Sequence, residues 1–164
     1  MSDVASFFPT AQIGLHVAIS LAGIVAGVVA VGGLLGNRRP DCWTAVFLWT
    51  TLATSFSGFF LPAEKVLPSH VVGVVSLVAL GVALFSLYAR RLVGGWRRWY
   101  VISAVTALYL NVFVLVAQMF QKVSALHALA PTQSEPPFAA AQGAVFLTFI
   151  ALGTVANSRF RPTT

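Results

Sequence analysis

The stretch from Ala11 to Gly36, AQIGLHVAISLAGIVAGVVAVGGLLG, decides the class of fold. It carries no charged side chain, and His16 is its one ionisable group. About 20 such residues in a helix cross the roughly 30 Å of hydrocarbon in a bilayer, so the stretch reads as a membrane span. A cleaved leader is excluded as a reading, because the preceding MSDVASFFPT contains Asp3 and no Lys or Arg. The apolar run is also too long for the hydrophobic region of a leader, and it reads as a retained first helix.

The same pattern recurs along the chain. Spans are predicted at about 42–61, 69–89, 99–120 and 138–157, which together with 11–36 makes five. Pro62, Pro68 and Pro137 fall where helices should stop or start, since proline lacks an amide and suits a first turn. The stretch 123–137, rich in Pro, Ser and Gln, reads as a loop. The last span is the shortest of the five, and a re-entrant or interfacial helix is the alternative there. The expected fold is all-α: one transmembrane domain over residues 1–164, a four-helix bundle with a fifth helix packed on it.

Composition agrees. Of 164 residues, 58% are hydrophobic and 9% charged, with mean hydropathy +0.87. A soluble domain carries about a quarter charged residues. The net charge of +6 has a topological explanation. Arg38, Arg39, Arg90, Arg91, Arg97, Arg98, Arg159 and Arg161 fall on one side of the predicted spans, and Lys65 and Lys122 on the other. Basic loops stay in the cytoplasm, so the N-terminus is expected outside and the C-terminus inside. Trp43, Trp96, Trp99 and Tyr100 gather at the arginine side, as an interfacial aromatic belt would. Asp3, Glu64 and Glu135 lie on the outer side. With the arginines placed in loops, no basic face is left for nucleic acid. Cys42 is the only cysteine, which excludes an intrachain disulfide or a thiolate metal cage.

Two hairpins are weakly alike. Leu15-His16-Val17 leads to Arg38-Arg39, and Ser69-His70-Val71 leads to Arg90-Arg91. As parallel repeats they would make His16 and His70 partners at one depth. An ionisable group at membrane depth is costly and ordinarily faces a bundle interior or cavity. His16, Ser20, Gly23, Gly27 and Ala30 follow helical spacing on one face. The small residues there permit close packing, either within the chain or against another membrane subunit or a second copy through Gly23 and Gly27.

A polar stripe of Asn111, Gln118 and Lys122 on the fourth span faces the same outer half, with Thr50, Thr54 and Ser57 on the second and Gln142 on the last. His16 and His70, with Gln118 and Asn111, are therefore the candidate cofactor-binding residues. His16 and His70 are also candidate metal ligands, with Glu64 a weaker third. Haem b, a metal ion or a quinone would suit imidazoles beside amides. Against this stand plainer roles: His16 as a hydrogen bond to a neighbouring helix, His70 and His127 as satisfied or interfacial histidines, Asn111 and Gln118 as interhelical hydrogen bonds, and the hydroxyls as bonds to their own backbone. No HExxH, GxGxxG or P-loop motif occurs, and no nucleophile stands beside a base, so hydrolase or transferase chemistry is not indicated. An accessory subunit of a larger membrane complex is the alternative function. A small-solute transporter or channel is less favoured, because the third and fifth spans carry few polar residues.

Several segments, Gly58-Phe59-Phe60-Leu61-Pro62, Leu67-Pro68-Ser69-His70-Val71-Val72-Gly73, Leu108-Tyr109-Leu110-Asn111-Val112-Phe113 and Ala130-Pro131-Thr132-Gln133-Ser134-Glu135-Pro136-Pro137, resemble those of a family of small uncharacterised bacterial inner-membrane proteins. The resemblance implies a bacterial inner membrane and brings no activity or catalytic residue with it. In plan, a helical core with outward histidines is also distantly similar to b-type cytochrome bundles, although the histidine pairs those carry within single helices are absent.

The arginine asymmetry makes a topological expectation. A reporter fused after Thr164 should behave as cytoplasmic and one inserted at 123–137 as periplasmic. The same side for both would mean that the last span does not cross.

Overall fold

The computed structural model describes residues 2–39, 41–58 and 68–161, with side chains at 13–39, 41–58 and 71–161. Among these the chain is helical and contains no strand. Helix α1 spans Ser2–Leu35, α2 Asp41–Ser57, α3 Pro68–Leu84, α4 Trp96–Lys122, α5 Ser124–Leu129 and α6 Pro136–Arg159. Four of these contain segments long and apolar enough to cross a membrane: Ile13–Leu35, Val71–Ala89, Trp96–Lys122 and Pro136–Arg159. They correspond to the first, third, fourth and last of the expected spans. Helix α2 is the second, described for 17 residues. The expected loop at 123–137 contains the single-turn helix α5. Glu64 and the second half of that expected span's end, 59–61, lie outside the described residues.

Helices α1 to α4 share one core, in which Leu34, Phe47, Leu48, Leu80, Val101 and Leu108 are fully buried. Helix α1 runs antiparallel to α2 at very close range. A β-carbon built at Gly27 would stand 2.6 Å from Leu108 Cδ1 and 2.8 Å from Phe47 Cδ2. At Gly23 it would stand 2.9 Å from Thr50 Oγ1 and 3.3 Å from Thr51 Oγ1. The face offered by Gly23, Gly27 and Ala30 is thus filled by α2 and α4 of the same chain.

Helix α3 ends in a π-turn, Phe85–Ala89. There Arg90 N–H reaches Phe85 O. Arg91 and Leu92 then take left-handed backbone conformations, with φ of 48° and 62°. That turn folds Leu92 back into the core, where it is buried. The Arg90 guanidinium stacks over the Trp96 ring, 5.1 Å from its centroid.

Helix α6 lies antiparallel along α4. Phe138 meets Phe120 edge-to-face at 5.3 Å, and Phe146 and Phe149 meet Tyr109 at 5.8 and 5.7 Å. At the far end of this ladder Arg97 Nη1 donates to the carbonyls of Asn157 (2.8 Å) and Phe160. These carbonyls have no partner within a helix that ends there, and a guanidinium also suits the negative end of the helix dipole. Arg161 N–H donates to Asn37 Oδ1 at 2.7 Å, tying the end of α6 to the end of α1. The ends of α1, α3 and α6 and the starts of α2 and α4 therefore share one end of the bundle, and all eight arginines gather there. Trp43 and Trp99 are half exposed at that end, as belt residues should be. Tyr100 departs from the belt. It is 1% exposed and packs its ring 6.3 Å from Phe160, because the next position along α4 turns into the core.

Gly27→Leu should lower stability in detergent by about 1–3 kcal/mol, the ordinary cost of overpacking. Gly32→Leu in the same helix should not, since a β-carbon there meets nothing within 4 Å. Equal melting temperatures for the two variants would contradict the packing described.

Candidate functional site

Helix α2 is the element to which the outer polar groups attach. Its second half, Thr50-Thr51-Leu52-Ala53-Thr54-Ser55-Phe56-Ser57, carries five hydroxyls in eight residues. Two serve the helix itself: Thr50 Oγ1 donates to Val46 O (2.6 Å) and Thr54 Oγ1 to Thr50 O (2.9 Å). Such back-bonding removes the cost of a bare hydroxyl in hydrocarbon. The other three reach across to neighbours, one to each adjoining helix. Ser57 Oγ lies 3.0 Å from His16 Nδ1 of α1. Ser55 Oγ donates to Ser76 Oγ of α3 at 3.0 Å. Thr51 Oγ1 accepts from Asn111 Nδ2 of α4 at 3.0 Å.

Ser57 Oγ also lies 3.2 Å from the carbonyl of Thr54, which can only accept. With the hydroxyl proton on that carbonyl, Ser57 accepts from His16 Nδ1–H, and Nε2 keeps the lone pair by which an imidazole binds a metal or accepts a proton. In the other tautomer Ser57 donates to Nδ1 and Nε2 carries the proton. His16 is half buried, and a β-carbon built at Gly58 would be in ordinary contact with its ring, 3.6 Å from Cε1. A ring held through one nitrogen with the other free is the arrangement that orients ligating histidines elsewhere.

The remaining candidates are placed as follows. Asn111 is half buried and meets α2 six residues from Ser57, about 9 Å along the helix at 1.5 Å per residue. Thus His16 and Asn111 bond to α2 at two heights and on two different faces, one from α1 and the other from α4. Gln118 is exposed, two turns beyond Asn111, and no hydrogen bond brings it to either. His70 lies in the first turn of α3, and its side chain, like Glu64, is outside the described residues. The shared cavity expected for His16 and His70 falls there too. His127 is exposed on α5. Among the described residues no three of His, Cys, Asp or Glu come together as a metal cage.

Thr51 and the Ser55–Ser76 pair were missed in the sequence, and the density of hydroxyls in α2 was the available signal. Gln142 was seen but not its role. It is buried, and its Nε2 donates to Phe113 O of α4 at 3.1 Å, while Oε1 is without a partner. A second amide does the same one turn away, Gln133 Nε2 donating to Ala117 O at 2.7 Å and its Oε1 accepting from Gln121. The loop bearing Gln133 is ordered by Glu135. Slight dehydration raises the affinity of this carboxyl for a proton, but hydrogen bonds from the amide and hydroxyl of Thr132 and the amide of Ser134 outweigh it and hold its pKa below the usual range.

Comparison with family models, with curated proteins and with solved structures finds no match. The resemblances drawn above therefore rest on the sequence segments alone.

The His16–Ser57 bond predicts measurable coupling between helices. A double-mutant cycle with His16→Ala and Ser57→Ala should give about 0.6 kcal/mol, the average for such bonds in a membrane. A coupling indistinguishable from zero would contradict the bond between the two helices.

Proposed function

We propose that this chain is a small multi-pass protein of a bacterial inner membrane that binds a redox cofactor at His16, in the half of the bundle away from the arginines. The observation that supports it is the bond between His16 Nδ1 and Ser57, which in the Nδ1–H tautomer leaves Nε2 as a lone-pair donor among helices. A lone pair asks for a metal centre or for a hydroxyl. Haem fits a single imidazole per helix better than a bare ion does, because the macrocycle supplies its other nitrogens. A quinol fits equally through its O–H. His70 is the natural second ligand or donor in this reading, with Gln118 and Glu64 as supporting groups. The arginine end faces the cytoplasm, so the site opens to the periplasm.

A second reading, an accessory subunit of a larger membrane complex, draws on α6. Only 6% of its apolar window is buried, against 33–39% in the other three, so a neighbouring membrane helix would find its outward face free.

Purified protein should show a haem absorption band or release a quinone on solvent extraction, near one equivalent per chain, and His16→Ala should lose it. Protein with neither chromophore, metal nor quinone would leave the accessory reading standing.

A further inference from the structure

The arginine end holds more positive charge than the chain itself neutralises. The Arg97 guanidinium is occupied by the carbonyls of Asn157 and Phe160, which sets Arg98 and Arg161, the next residues in the chain, at the same rim where α4 begins and α6 ends. Arg98 is exposed, and its side chain has no partner among the described residues. Arg161 uses its backbone N–H on Asn37 and Nε on Ser158 O at 3.5 Å, which leaves its terminal nitrogens free. The acid at this end, Asp41, is 2.8 Å from Arg39 and is engaged there. Like charges brought together in this way favour an anion between them, and guanidinium forks match the oxygens of a phosphate.

The surroundings decide which anion. One helical turn into the membrane from Arg98 stands Ile102, 48% exposed, with Trp99 57% exposed beside it. On α6 the exposed Val155 lies one turn inward from Arg159. Charge at the rim with bare apolar side chains beneath matches a molecule with a phosphate head and hydrocarbon tails. We propose that Arg98 and Arg161, where α4 begins and α6 ends, form a binding site for the phosphate of an anionic phospholipid, whose acyl chains run down past Trp99 and Ile102. This site is independent of the reading of His16.

The test uses the full chain in detergent, titrated with phosphatidylglycerol, phosphatidylcholine or inorganic phosphate, and read by native mass spectrometry and melting temperature. Phosphatidylglycerol should be retained in preference to phosphatidylcholine and should raise the melting temperature, and inorganic phosphate at the same concentration should not. The preference should shrink with added salt. Arg98→Gln with Arg161→Gln should reduce it by about fivefold for each charge removed. Arg98→Lys should keep most of it, and Lys122→Gln at the opposite end should leave it unchanged. Equal retention of the two lipids, or an unaltered preference in the double variant, would overturn the proposal. Stabilisation by inorganic phosphate alone would overturn the lipid as its source.

Discussion

Everything in this bundle depends on how near α1 comes to α2. Lipid tails are as apolar as leucine, so burying apolar side chains gives little reason for two helices to associate inside a bilayer. Attraction must come from contact itself, and contact is greatest where no side chain holds the backbones apart. Gly23 and Gly27 supply that condition, with Thr50, Thr51, Phe47 and Leu108 filling the space where β-carbons would have been. Once α2 is seated there, its hydroxyls come within hydrogen-bond range of α1, α3 and α4.

The two sides of α4 are held by different chemistry. Toward α2 it offers Asn111 to a threonine hydroxyl. Toward α6 it offers backbone carbonyls, at Phe113 and Ala117, to glutamine amides. A carbonyl already in a helical hydrogen bond has a second lone pair, so these contacts add to the helix without opening it. At the arginine end the same logic is reversed: Arg97 of α4 supplies the donors and the terminal carbonyls of α6 accept. Helix α6 is thereby fixed in register at both ends by polar bonds, with aromatic rings packing between them.

The spans were legible because hydropathy and proline positions depend only on local composition. Gly23 and Gly27 were legible because their spacing puts them on one face whatever they pack against. The inward side of His16 followed from the same face. What the sequence did not reveal were choices made between helices. Thr50 and Thr54 bond to their own helix, the plainer of the two roles the sequence offered them, while neighbouring Thr51 and Ser55, not singled out in the sequence, make bonds across it. Which hydroxyl turns inward depends on the rotation of α2, and that is set by the glycine contact rather than by α2 itself. Tyr100 was misplaced at the interface for a similar reason. Its type suits a belt, but one position along from Trp99 points to the core. Gln118 keeps its helical spacing from Asn111 but is exposed, although Phe120 two residues on is buried against Phe138.

The hydroxyls of α2 also bear on how the protein enters its membrane. Asp41–Ser57 has an acid at its start and five hydroxyls toward its end, which weaken its partitioning into hydrocarbon. Thr50 and Thr54 lighten the transfer by turning to their own backbone, while Ser57 also meets His16 of α1 and Thr51 meets Asn111 of α4. The nearer of these two helices in the chain is α1, already apolar enough to insert by itself. Insertion of α2 would then be favoured beside α1, the two leaving the translocation channel as a paired hairpin rather than one after the other. A change that spoils the glycine contact would then be felt during biogenesis, as chains with α2 stranded at the membrane surface.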